Sequence, residues 1–195
     1  MIKRTTFVEG ATYHVYNRGN GHDHIFRNPG NYDYFLRKYH EYMGSLWETH
    51  AWCLMPNHFH FLITVKAHFS TDDILSTKCS SAFANFTNGY AQSFNKQHNR
   101  KGSVFMRSFR RKVVHDREYF KSLVCYVHNN PVKDGMVPAP ENWPFSSYSD
   151  FINRGASVVG NDPVISLFGG KEEFRRQHIL HRSPGSIEIP WLLAS

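Results

Sequence analysis

The sequence predicts an α+β domain in which helices pack on an antiparallel sheet, and three observations lead there. From His58 to Val65 the residues alternate. His58, His60, Leu62 and Thr64 point one way and Phe59, Phe61, Ile63 and Val65 the other, the period of a strand with one wholly apolar face. Residues 31–47 and 71–95 instead repeat their apolar side chains at helical spacing. The segments then follow one another as strand, helix, strand, strand, helix, strand, with one more helix behind them.

Each element has its own signal. Thr12-Tyr13-His14-Val15-Tyr16-Asn17 is aromatic and β-branched and is broken by Arg18-Gly19-Asn20-Gly21, which predicts the first strand. His22-Asp23-His24 lies in the polar run behind it with no flanking alternation, so this histidine pair reads as loop. The first helix, over 31–47, carries Phe35, Leu36, Tyr39, Tyr42, Met43 and Leu46, with Pro29 or Asn31 marking its entry. Residues 50–54 form a second strand that turns at Pro56-Asn57 into the histidine strand. Ser70-Thr71-Asp72-Asp73 resembles a capping box, with carboxylates where the helix dipole favours them. The helix it opens buries the stripe Cys79, Phe83, Phe86, Tyr90 and Phe94.

Residues 103–114 predict a fourth strand, with Phe105, Phe109, Arg107 and Arg111 on one face and Arg110 and Lys112 on the other. The last clear helix spans 116–130 and is closed by Pro131, which disfavours helical geometry in the residue before it. Phe120, Leu123, Val124 and Val127 are its apolar stripe, and Ser122, Tyr126 and Asn130 line a more polar edge. The order is that of a ferredoxin-like sheet domain with the histidine strand central and its apolar face on the two long helices.

Composition narrows the function. With 195 residues, 41% hydrophobic and 15% aromatic, the chain can bury one sizeable core. Lys+Arg 23 against Asp+Glu 16 gives a net charge of +7 and points to a polyanionic partner. Cys53, Cys79 and Cys125 lie far apart with no Cys-x-x-Cys, against a zinc ribbon or a disulfide framework. No stretch is long and apolar enough to span a bilayer and no leader is evident, so the expected location is the cytoplasm.

The chemistry centres on His58 and His60, two imidazoles side by side on one strand face and able to hold one divalent metal ion. If the last helix crosses that face, Tyr126 and Asn130 overhang the pair. Asn130 then offers an amide oxygen as a third ligand, and Tyr126 is a candidate nucleophile whose attack on a phosphate requires a Lewis acid. Tyr119, two turns earlier on the same edge, is the rival. Arg100, Lys101, Arg107, Arg110, Arg111 and Lys112 supply cations, and Phe105, Phe109 and Tyr16 are candidate stacking platforms for a single strand.

Tyr13-His14-Val15-Tyr16-Asn17-Arg18-Gly19, Met55-Pro56-Asn57-His58-Phe59-His60-Phe61-Leu62, the basic stretch 105–112, Tyr126-Val127-His128-Asn129-Asn130-Pro131-Val132 and Trp143-Pro144-Phe145-Ser146-Ser147-Tyr148 stand in an order that resembles the single-tyrosine HUH transposases. Within them the chain is most similar to the REP-associated tyrosine transposases. The resemblance covers residues 1–150 as one domain and leaves 151–195 as a C-terminal tail. It implies His58, His60 and Asn130 as ligands of Mg²⁺ or Mn²⁺. It implies Tyr126 as the residue that attacks a DNA phosphate, leaving a 5′-phosphotyrosine and a free 3′-OH. The implied substrate is single-stranded DNA with hairpin ends, cut by a monomer or homodimer. Two other readings remain open at this level: a domesticated, non-catalytic binder of DNA or RNA hairpins, and a replication initiator or relaxase.

Overall fold

Four stretches with period-two patterning form one antiparallel sheet. They are β1 (Thr12–Arg18), β2 (Trp47–Met55), β3 (His58–Val65) and β4 (Arg110–Val114), in the spatial order β2-β3-β1-β4. The computed structural model describes residues 5–66, 71–106, 108–153 and 161–182. Helices α1 (Pro29–Met43) and α2 (Asp72–Gln97) cover one face, and α3 (Arg117–Lys133) lies on the other against β2 and β3. This is the ferredoxin-like α+β arrangement, with β3 and β1 interior.

Local chemistry sets the boundaries. The Asn28 side chain accepts the Asn31 N–H and Pro29 opens α1, whereas the Thr71 and Asp116 side chains accept the Ile74 and Tyr119 N–H groups to cap α2 and α3. Gly19 ends β1 at a close approach, since a Cβ there would come within 2.3 Å of the Asp23 carbonyl oxygen. The run around His22 and His24 holds a short 3-10 turn, Asn20–His22.

The helix-facing core is aromatic. The Phe35 ring centroid lies 4.6 Å from that of Phe86, 4.9 Å from Tyr90 and 5.2 Å from Phe59. Tyr39 stacks on Phe61 at 4.0 Å. The stripe Cys79, Phe83, Phe86, Tyr90 and Phe94 is buried as the spacing predicts. Phe35→Ala should lower unfolding free energy by about 3–5 kcal/mol in urea titrations, because so crowded a site cannot collapse around the void.

Three boundaries depart from expectation. The helix predicted to reach residue 47 ends at Met43, and Trp47 instead opens β2, buried opposite Val65. Gly44 caps the helix, and burial of the indole outweighs the helical spacing of Leu46. The fourth strand, predicted from residue 103, starts at Arg110. Before it, Met106 N–H and Asn20 N–H bond the Arg18 and Val104 carbonyls, Phe105 forms an isolated bridge with Gly19, and Arg107 lies outside the described residues. The third helix, predicted to stop before Pro131, runs through it to Lys133. In the last turn Pro131 removes a single helical bond, and the turn still closes through Asp134 N–H to Asn130 O and Met136 N–H to Pro131 O. Gly135, at φ +69°, supplies the left-handed residue that ends it.

Residues 143–148 cover the β2 edge. Leu54 N–H donates to Phe145 O, Ser147 N–H to Trp52 O, and the Trp143 indole to Leu54 O. Three short helices follow, α4 (Tyr148–Asn153), α5 (Asn161–Phe168) and α6 (Lys171–Leu180). Helix α6 docks on α3 through buried imidazoles. His178 Nδ1 donates to Phe174 O at 2.7 Å, which leaves its Nε2 to accept from His128 Nδ1 at 2.9 Å, and His128 Nε2 meets Ser147 Oγ at 2.8 Å. All three cysteines are buried free thiols. Among the described residues, no helix is long and apolar enough to cross a membrane.

Burial pushes the His178 pKa down to about 3, against a smaller upward pull from the Phe174 carbonyl. The native state therefore stays unprotonated there while the unfolded chain takes up a proton near pH 6.5. This contribution is complete above pH 6.5 and is lost, at up to about 1.4 kcal/mol per pH unit, as pH falls towards 3. Urea midpoints should drop between pH 7 and pH 5, and His178→Gln should flatten that slope.

Candidate active site

The alternation of β3 sends His58 and His60 to the α3 side of the sheet, and the pairing register adds their neighbours. Arg18 lies opposite His58, and Tyr16 stands between His60 and Arg110. His14 lies opposite Lys112 and reaches His60 diagonally. From the other side, Tyr126 and Asn130 are one helical turn apart on α3. His60 and His14 are 0% exposed, Asn130 5% and Tyr126 9%.

Hydrogen bonds orient this group. Asn130 Nδ2 donates to Tyr126 O at 3.1 Å, so its Oδ1 faces His58 Nε2, 3.4 Å away. His58 Nδ1 lies 2.7 Å from Asn57 Oδ1, an acceptor, so Nδ1 carries the proton and Nε2 is bare. A bare nitrogen facing an amide oxygen is a contact between two acceptors, which a cation between them makes favourable. His60 Nδ1 meets His14 Nε2 at 2.9 Å, whereas His60 Nε2 is buried and has no hydrogen-bond partner among the described residues. The two imidazole rings lie 5.0 Å apart at 82°. Two imidazole nitrogens and one amide oxygen converge on one side, and this set of atoms fits a divalent metal ion. Among the described residues no group of three His, Cys, Asp or Glu side chains makes such a site.

Electrostatics keep both imidazoles neutral. Burial holds both imidazoles below the usual histidine range, His60 furthest, with His58 and His14 adding to the effect on His60. Burial also raises the Tyr126 phenol, and the Asn130 side chain lowers it by less. The Tyr126 ring presents its edge to His60 at 5.6 Å, and Lys133 Nζ lies 4.8 Å from the same ring centroid. Tyr119, the rival, sits instead under Lys112, whose Nζ is 5.7 Å from its ring centroid.

The basic residues divide. Arg110 and Lys112 are exposed on the histidine face of β4, with Arg110 bonded to the half-buried Tyr16. Arg111 points to the other face, 4.1 Å over Phe7 and bonded to Ser80 Oγ and Thr5 O, so it braces the helix side. Arg100 is held by Asp23 Oδ2 at 2.7 Å, and Lys101 is exposed in the loop beyond α2. Phe105 and Phe109 pack into the core, leaving Tyr16 as the stacking candidate on this face.

Sequence reasoning missed His14, Asn57, Arg18 and Lys133. The first strand carried the signal for two of them, because Thr12, His14, Tyr16 and Arg18 alternate in phase with His58 and His60. Lys133 was hidden by reading Pro131 as the end of the helix.

No protein-family model matches the chain. A REP-associated tyrosine transposase of Escherichia coli (strain K12) is 25% identical over 108 residues, 55% of this chain. A Haemophilus influenzae protein of the same description is 28% identical over 103 residues, 52% of this chain. The match spans 58% of each relative's own length. Among solved structures, that of a REP-associated tyrosine transposase bound to a REP hairpin superposes with a TM-score of 0.62 at 20% identity, covering 82% of this chain and 90% of the other, and so shares the fold. Over about half its length the chain is similar to REP-associated tyrosine transposases.

Proposed function

We propose that this protein is a metal-dependent single-strand DNA endonuclease and strand transferase, transposase-like, that forms a 5′-phosphotyrosine at hairpin-associated sites. The observation that carries this reading is the convergence of His58 Nε2, His60 Nε2 and Asn130 Oδ1, with Tyr126 one turn away on the same helix. His58, His60 and Asn130 would hold Mg²⁺ or Mn²⁺. A bound cation would polarise the scissile phosphate and offset its charge. The Tyr126 phenolic oxygen forms the new bond to phosphorus as the bond from phosphorus to the 3′-oxygen breaks. The phenol gives up its proton to solvent, the 3′-oxygen gains one, and the strand is left with a free 3′-OH.

Arg110 and Lys112 supply positive charge along the same face and Tyr16 an aromatic surface, the combination that holds single strands. Residues 1–150 carry this chemistry and 151–195 form a C-terminal extension. The protein acts in the cytoplasm as a monomer or homodimer. Binding to a hairpin oligonucleotide should weaken steeply with salt, and Arg110→Ala with Lys112→Ala should reduce the slope of log K against log salt by roughly 0.7 per cation removed. An unchanged slope would remove these residues from the interface.

The decisive experiment incubates the protein with Mn²⁺ and a panel of hairpin-flanked single strands carrying a suicide nick, read as a covalent adduct on a denaturing gel. The proposal expects an adduct that maps to Tyr126. Tight hairpin binding with no adduct under any metal condition would identify a non-catalytic hairpin binder instead.

A further inference from the structure

His58 and His60 face the same problem. To direct Nε2 at a shared cation, each must keep its single ring proton on Nδ1, and a free imidazole has no such obligation. For His58 the answer is Asn57, whose Oδ1 at 2.7 Å only accepts. For His60 the partner is another imidazole. His14 Nε2 lies 2.9 Å from His60 Nδ1, both rings are 0% exposed, and they stack with centroids 5.0 Å apart. A single proton lies between those two nitrogens, so one ring donates and the other accepts.

Burial alone does not choose the donor. Were His14 the donor, the His60 proton would sit on Nε2; were His60 the donor, the His14 proton would sit on Nδ1, and both atoms are buried without a hydrogen bond among the described residues. What separates the two is the group of lone pairs beside His60 Nε2. With His60 as donor, Nε2 is a bare lone pair beside the bare Nε2 of His58 and the Asn130 oxygen, and one cation satisfies all three. We infer that His14 is a positioning residue: it accepts the His60 Nδ1 proton and thereby fixes the tautomer that turns His60 Nε2 towards the metal. This rests on the metal reading given above, because the cation is what selects this tautomer.

Its place in the fold explains how it is held. On β1 the buried His14 ring packs against Tyr16 at 4.9 Å and His60 at 5.0 Å, with the Tyr126 ring 6.3 Å away, and it faces Lys112 across the β1–β4 ladder. The ring therefore has little room to turn its Nε2 away.

The test has two parts. Two-bond ¹H–¹⁵N correlation spectra of wild-type protein with Mg²⁺ should show His60 protonated on Nδ1 and not on Nε2. Mn²⁺ titrations followed by electron paramagnetic resonance should then give a dissociation constant about tenfold to a hundredfold weaker in His14→Leu. His14→Gln, whose amide oxygen can take the place of Nε2 as acceptor, should stay within a few-fold of wild type. A His60 proton found on Nε2, or equal Mn²⁺ affinity in wild type, His14→Leu and His14→Gln, would overturn the inference. If His14→Leu fails to fold, the wild-type spectrum still decides. No Mn²⁺ uptake by wild-type protein would sink the metal reading, whereas uptake of equal affinity in all three proteins would sink the inference alone, so the two failures are distinct.

Discussion

Tyr126→Phe should reduce formation of the covalent protein–DNA adduct to background, a loss of roughly a thousandfold or more, with hairpin affinity nearly unchanged. The substitution removes one oxygen and keeps the ring that packs its edge on His60 at 5.6 Å, so the wall of the site survives. Stability should fall by no more than about 1 kcal/mol, the ordinary value of a hydrogen-bonding hydroxyl. A nucleophile has no substitute of this kind, because the bond to phosphorus cannot form without it. Tyr119→Phe is the matched control, since that ring is occupied by the Lys112 ammonium, and it should leave the adduct yield within a few-fold of wild type. An adduct persisting in Tyr126→Phe and vanishing in Tyr119→Phe would reverse the assignment. Burial raises the Tyr126 phenol above its ordinary range, so it enters the reaction protonated and depends on charge supplied nearby.

Removal of the divalent cation should have an effect of the same order. With chelator present, adduct formation should stop and return on adding Mn²⁺ or Mg²⁺. Two imidazoles among three donors favour the softer ion, so Mn²⁺ should act at the lower concentration. His60→Ala should mimic chelation, lowering the rate by roughly 10³ if the cation supplies several kcal/mol of charge stabilisation. Binding should also show in the absence of DNA. At a hundred times its dissociation constant, Mn²⁺ should raise wild-type stability by about 2.7 kcal/mol, and His60→Ala should lose that gain. A wild-type melting temperature indifferent to Mn²⁺, with adducts formed in chelator, would contradict the account.

Periodicity over one element was legible in the sequence, and so was whatever a single element decides. The alternation of β3 was enough to separate its apolar face from its imidazoles. The α2 stripe was readable because helix and core use the same spacing. Boundaries set by tertiary contacts were not. Trp47 left a helical pattern because the sheet core could bury it. Residues 104–106 bond to the end of β1 instead of continuing a strand, and nothing within 103–109 signals that. Pro131 usually ends a helix, but in a last turn it removes a single bond, so the rule overstates its effect here. At the site, His58, His60, Tyr126 and Asn130 could be picked out because each repeats along its own strand or helix. His14 became meaningful only through its pairing with β3, and the docking of His178 on His128 links residues 50 positions apart.

The proposed chemistry needs two imidazoles and an amide to hold one cation beside the Tyr126 phenol. Anomalous diffraction from Mn²⁺-soaked crystals tests it most directly. The account predicts one strong peak about 2.2 Å from His58 Nε2, His60 Nε2 and Asn130 Oδ1, on the Tyr126 side of the sheet. A peak bound elsewhere, or none at these three atoms under conditions that support adduct formation, would contradict it.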